Sequence, residues 1–150
     1  MTNGGDAMSD VPIEVLLGGR SVLGHSLETG MDRYELSRTG IPKRALLSLV
    51  ANLDLSLRSM AGLLNIAERT IQRKRDDELL DRPTSEQVIQ IAEVYARGAG
   101  VFGSAPHFQQ WMNAENLPLG GKKPLELLPS RYGAQMILDE LGRIEHGIPS

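Results

Sequence analysis

Cysteine is absent from the 150-residue chain. That excludes a disulfide framework and any thiolate metal site, and it fits a reducing compartment. Aromatic residues are scarce at 4%, and no Asn-Gly or Asp-Gly pair separates two alternating runs, so strand signals are few. No stretch approaches the ~20 consecutive apolar residues that a membrane-spanning helix needs. The opening residues, Met1-Thr-Asn-Gly-Gly-Asp6, have neither the basic nor the apolar region of a secretory signal. These absences lead to the expectation of an all-α, cytoplasmic protein with no membrane partner. At 16.4 kDa and 41% hydrophobic residues, the chain has room for one domain or two small ones sharing a core.

Catalytic and metal constellations are missing too. His25, His107 and His146 lie far apart, with no carboxylate at ligand spacing. Ser26 beside His25 is sequence adjacency, which has no triad meaning. Gly120-Gly121-Lys122-Lys123 lacks the glycine spacing and the Ser or Thr of a phosphate-binding loop. The pair Asp139-Glu140 reads as a solvated helix face. The expectation is no catalytic residue, no metal, no cofactor and no small-molecule substrate: the chain is not an enzyme.

What is present is mostly helical punctuation. Residues 1 to about 10 have too few apolar side chains to offset the entropy of ordering and are expected to be disordered. Val15-Leu16-Leu17, stopped by Gly18-Gly19, reads as a loosely packed arm, either helix or strand. The whole of residues 1–33 is expected to be a flexible N-terminal arm, with a weak helix signal over residues 31–38. Gly40-Ile41-Pro42 is a break, and Pro42 suits a first helical turn. Ala45, Leu46, Leu49 and Val50 give one apolar face to a helix over residues 43–52. Ser56 can cap a helix that ends at Leu64, with Asn65 in the left-handed turn, and a further helix is expected from about Ala67 to Asp77. Pro83-Thr84 opens another, with Thr84 and Gln87 at capping-box spacing. Its buried stripe is Val88, Ile91, Ala92 and Tyr95, and Gly98-Ala99-Gly100 is expected to end it and to mark a domain boundary. Beyond that boundary, Ser104 and Pro106 start a helix holding Phe108, Trp111 and Met112. Ile137, Leu141 and Ile144 define a last helix, with Asp139, Glu140 and Arg143 outside.

Two segments carry function. From Leu57 to Arg73 the chain has helix-turn-helix logic: Ala61 is small where two helices cross, and Leu64, Ile66 and Ile71 pack the pair. The net charge of −3 hides a local excess of bases, because residues 40–75 hold seven against Asp54 and Glu68 alone. The second helix would leave Glu68, Arg69, Gln72 and Arg73 outward near its N-terminal end, the end that enters the major groove in such motifs. Arg69 and Arg73, four apart, could each pair bidentately with guanine, and Gln72 with adenine. Arg44, Arg58, Lys74 and Arg75 read as phosphate contacts. Glu68 favours the helix dipole but repels phosphate, or accepts from cytosine. The stretch resembles the Xre/lambda-repressor helix-turn-helix class. An ordinary helical pair, or one kept for dimerisation, fits the same residues.

The second segment is the C-terminal third. It holds the only Trp and dense glycine and proline clusters, with no chemistry attached, which suits a surface built to be recognised. Leu17-Gly18-Gly19, Gly40-Ile41-Pro42, Arg69-Thr70-Ile71-Gln72-Arg73, Val101-Phe102-Gly103, Trp111-Met112-Asn113, Leu119-Gly120-Gly121, Pro124-Leu125-Glu126-Leu127-Leu128 and Arg143-Ile144-Glu145-His146-Gly147 follow in order. In that succession the chain resembles the Xre/MbcA/ParS antitoxin family, partners of RES-domain toxins. The resemblance implies an Xre-like helix-turn-helix and dimerisation domain over residues 34–97, followed by a small helical toxin-binding domain over residues 98–150. It implies a homodimer that represses its own operon through operator DNA. It also implies that the C-terminal part covers the cleft of a toxin that degrades NAD or transfers ADP-ribose. The toxin-facing residues are then Asn116, Leu119, Gly120, Gly121, Lys122, Pro124, Arg143, Ile144, Glu145, His146 and Gly147. Arg143, Glu145, His146 and the tail to Ser150 are expected to be an exposed, mobile plug. A free-standing Xre-type transcriptional regulator, whose C-terminal domain only dimerises, is the alternative.

Overall fold

A computed structural model describes residues 12–24 and 26–147. The expectations for residues 1–10, His25 and the last three residues lie outside the described set. Among the described residues the structure is helical, with two isolated β-bridges, Pro42–Leu79 and Asn116–Lys122, and no strand. No single helix among them is long and apolar enough to cross a membrane. The all-α expectation holds.

The chain forms two compact units, which divide between Ala92 and Glu93. The first holds α1 (Ile13–Leu16), α2 (Arg20–Leu23), α3 (Gly30–Thr39), α4 (Lys43–Asn52), α5 (Leu57–Leu64), α6 (Glu68–Gln72) and the start of α7 (Arg82–Phe102). Residues 13–27 are not the loose arm expected. Ile13, Leu17, Leu23 and Leu27 are all buried. Gly18 and Gly19, at φ of 103° and 83°, fold the segment back as two short helices, which pack on α4. The Asn52 side chain donates to the Leu16 carbonyl (3.1 Å), and the Glu14 carboxylate accepts from the Leu27 amide (3.1 Å). Alternation of apolar and polar residues is broken here by the turns, so periodicity could not reveal the buried set.

Two helix boundaries also move. Helix α6 stops at Gln72 instead of running to Asp77. The backbone beyond it pairs with the start of α4: the Lys43 amide donates to Glu78 O (2.9 Å), that of Arg44 to Asp76 O (3.0 Å), and that of Leu80 to Ile41 O (2.7 Å). Buried Ser85 locks this join, its hydroxyl accepting from the Ile41 amide (3.1 Å) and donating to the Leu80 carbonyl (3.3 Å). Helix α7 starts at Arg82, before the expected Thr84. Asp81 caps it by accepting from the Thr84 amide (2.9 Å), and hydrogen bonds from the Thr84 hydroxyl and then its amide lower the Asp81 pKa. The stripe of Val88, Ile91, Ala92 and Tyr95 is buried as read from the sequence.

The second unit runs from Glu93: the rest of α7, α8 (Ala105–Met112), a 3-10 turn (Leu117–Leu119), α9 (Pro124–Leu127) and α10 (Arg131–Glu145). Gly98 and Gly100 do not end α7, which continues to Phe102. The reason is packing. A Cβ on Gly98 would lie 2.3 Å from the ring of Phe108, so the glycine admits an aromatic ring against bare helix backbone. Fully buried Phe108 meets Tyr95 edge-on (5.2 Å), Phe102 (5.9 Å) and Trp111 in a stack (5.8 Å). Four of the six aromatic residues thus form one cluster, and such pairs add to simple area burial. Burial pushes the Tyr95 hydroxyl up to about 12 despite its hydrogen bond to Gln109 (3.0 Å).

Ser104 caps α8 through the His107 amide (3.2 Å), and Ser130 caps α10 through the amides of Tyr132 (3.2 Å) and Gly133 (3.3 Å). The fit at Gly98 makes a signed prediction. Gly98→Ala should lower stability by about 1–3 kcal/mol through overpacking. Gly62→Ala, in α5 with open space around it, should raise stability by up to about 1 kcal/mol through helix propensity. Thermal unfolding of the two variants checks both signs; equal shifts would show that the ring yields.

Candidate functional site

The helix pair α5–α6 is built as its residues suggest. Ser56 caps α5 by accepting from the Ser59 amide (3.0 Å). Asn65 takes the left-handed turn at φ 58°. Met60, Ala61, Leu64 and Ile71 are buried between the helices and the unit's core, and Ile66 is half-buried. Ala67 precedes α6 with no side-chain cap, so no side chain closes off the helix start, a suitable end to face phosphate.

On the outer side of α6, Arg69, Gln72 and Arg73 are exposed, and Glu68 is half-buried. Arg73 stands just past the helix in a helical conformation, its amide donating to Arg69 O (3.0 Å), so the two guanidinium groups lie one turn apart. Arg58, Arg69 and Arg73 have no ion-pair partner among the described residues. Gln72 is engaged with the Glu68 carboxylate (3.4 Å). Lys74 pairs with Glu78 (3.7 Å), and Arg75 with Asp77 (3.3 Å). Those neighbours compete for the two side chains read as phosphate contacts. The free cations of this surface are therefore Arg58, Arg69 and Arg73, with exposed Arg44 nearby in sequence.

Lys43, counted in the basic segment, is not part of that surface. It is buried, and its ammonium donates to the carbonyls of Lys74 (2.8 Å) and Gln72 (3.4 Å). A cation at the negative end of a helix dipole satisfies carbonyls that the helix leaves open. Lys43 thereby fixes where α6 ends. Its position three before Leu46 on the apolar stripe was the sequence signal for this role.

In the second unit, a turn from Asn116 to Lys122 closes on itself. The Asn116 amide donates to Lys122 O (3.0 Å), and the Gly121 amide to Asn116 O (2.9 Å). Gly120 and Gly121 both have positive φ, 75° and 78°, a conformation that side chains disfavour. Gly120, Gly121 and Lys122 are exposed. Leu119 and Pro124, expected to face a partner, are instead buried: they anchor the turn from inside and cannot offer side-chain contact. Leu117, which sequence reasoning passed over, is 87% exposed at the crest of the turn. Its neighbour Pro118 gave a turn signal but no sign of which side chain would point out.

The end of the chain was read as an exposed tail, and its described part, to Gly147, is the last turn of α10 and its cap. Residues 143–145 belong to the helix, with His146 as its C-cap. Glu140, expected on the solvated face, is buried at 2% exposure, and its carboxylate accepts from Arg143 Nε (2.9 Å) and Nη2 (2.7 Å). The 3.6-residue period puts position 140 on the side of Ile137, Leu141 and Ile144, so this burial was legible. Glu145 pairs with Arg97. Arg143 and Ile144 are half-buried, while Glu145, His146 and Gly147 are exposed. Phe108 and Met112 fill the unit's core, but Trp111 is only half-buried. It lines an open groove of about 410 Å³ with Asn116, Leu117, Glu140 and Ile144.

Comparison with known families divides the chain along its helices. The antitoxin Xre-like helix-turn-helix domain matches residues 32–93, the span of α3 to mid-α7. The antitoxin Xre/MbcA/ParS C-terminal toxin-binding domain matches residues 97–147, which hold the aromatic cluster, the Asn116–Lys122 turn and α10. A search of curated proteins finds no match. With a helix-turn-helix domain and a toxin-binding domain in this order, the chain belongs to the Xre/MbcA/ParS antitoxin family.

Proposed function

We propose that the toxin bound by the C-terminal domain is a RES-domain protein that consumes NAD, and that the antitoxin inhibits it by covering its active-site cleft. The chain carries no chemistry of its own in this reading. The observation that carries it is the toxin-binding match over residues 97–147, on the same stretch where Trp111, Leu119-Gly120-Gly121 and Pro124–Leu128 resemble partners of RES toxins. A preformed turn and an ordered helix end support docking with little ordering cost, the condition for tight association. Gly120, Gly121, Lys122, Glu145, His146 and Gly147 are its exposed members; Leu119 and Pro124 act by holding the turn. The proposed toxin-binding part is residues 98–150. Arg143, held by Glu140, frames the surface.

Residues 34–97 dimerise and repress the operon that encodes the pair. A helix-turn-helix homodimer reads two half-sites one helical turn apart, with the recognition helices in successive major grooves. The exposed, unpaired guanidinium groups of Arg69 and Arg73 on α6 support base reading, and Arg58 supports phosphate contact. On operator DNA, Arg69→Ala or Arg73→Ala should cost about 1–3 kcal/mol with little loss on random DNA. Arg58→Ala should weaken both alike. Fluorescence anisotropy on the two DNAs measures this, and equal losses for all three variants would make every one a backbone contact.

Inhibition is checked with the purified full chain and the RES-domain protein encoded beside it. Added in equimolar amount, the chain should form a stable complex and halt NAD loss. A complex that still consumes NAD at the free toxin's rate would rule out cleft covering. Absence of both a neighbouring toxin frame and a complex would favour the free-standing regulator.

A further inference from the structure

The groove beside Trp111 has an apolar floor and polar groups that no described residue satisfies. Its floor is apolar: Trp111, whose ring stacks on Phe108 (5.8 Å), with Ile144 and Leu117 beside it. Leu117 is 87% exposed, yet the turn that carries it is closed by hydrogen bonds between Asn116 and Lys122. The leucine is therefore held in water by an ordered backbone. Next to it, the Asn116 side-chain oxygen is buried with no hydrogen-bond partner, although buried polar atoms are nearly always paired. Glu115, also on the groove, is exposed with no ion-pair partner among the described residues. The other carboxylate there, Glu140, is bound by Arg143. No basic residue lines the groove among the described residues.

We infer that this groove is the anchor for an arginine or lysine side chain of the toxin. The inference rests on the reading of the C-terminal domain as the surface that binds a RES-domain toxin. A long cationic side chain matches each feature of the groove. Its aliphatic stem lies along Leu117 and Ile144, and its charge sits near the face of Trp111, the best ring for a cation–π contact. Its donors reach the unfilled Asn116 acceptor and the Glu115 carboxylate. The charge complementarity favours a basic segment over a neutral apolar one, and the groove lies within the matched toxin-binding domain.

Trp111 is the only tryptophan, so 5-fluorotryptophan labelling of the full chain places a single 19F probe at the groove. Titration with the unlabelled RES-domain toxin should shift that resonance. Leu117→Ser and Glu115→Lys alter exposed side chains, so unfolding should be unchanged, and each should weaken the complex at least tenfold. Raised salt should reduce the effect of Glu115→Lys. A complex of wild-type affinity in either variant, or an unmoved resonance in the wild-type complex, overturns the inference while leaving toxin binding intact. No complex at all with the wild-type chain overturns the functional reading itself. A shift that depends on antitoxin concentration without toxin would assign the groove to a second copy. A shift on deleting residues 148–150 would assign it to the chain's own end. Either result overturns the toxin anchor.

Discussion

Phe108 packed against the bare backbone of Gly98 is the contact on which the toxin-binding domain depends. A helix whose Cβ is missing at one point lets an aromatic ring approach to van der Waals distance, and the rest of the cluster is arranged around that ring. Tyr95 and Phe102 come from α7, and Trp111 follows one turn along α8. Because Phe108 is central and fully buried, Trp111 is left at the edge of the cluster, half-buried. The unit is too small to bury a large aliphatic core, and aromatic stacking gives it more contact per residue. The surface beside Trp111 is then a consequence of how the core is filled.

The helix-turn-helix domain is organised by polar groups in buried places. Lys43 closes the end of α6 through two carbonyls, and Ser85 joins Ile41 to Leu80. Such contacts are costly to leave half-made, which makes them specific. They place a short second helix whose cationic side chains are free, while the bases that follow it, Lys74 and Arg75, are held by local carboxylates. Charge counted along the sequence overstated the basic surface for this reason: one lysine of the segment is structural and two bases are partly neutralised.

Much of the architecture was legible because it rests on local rules. The Ser56 and Ser104 caps, the Asn65 turn and the apolar stripes of α4, α7 and α10 follow from propensity and period alone. The misreadings share a cause, namely that tertiary contacts redirected a local signal. Gly98 reads as a helix stop until a ring is placed over it. Glu140 reads as solvent-facing by residue type, although its position on the stripe says otherwise. Leu119 and Pro124 looked like contact residues because they stand in a distinctive motif, but the motif is distinctive for the turn it makes. Leu117 could not be found, since its exposure depends on which way that turn closes.

Hydrogen–deuterium exchange on the chain, alone and bound to its toxin, tests most directly that the C-terminal surface is where the toxin docks. Slower exchange over residues 114–122 and 140–147 in the complex, with residues 56–75 unchanged, is the expected result. Slowing confined to residues 56–75, with the turn and the end of α10 exchanging as in the free chain, would contradict it.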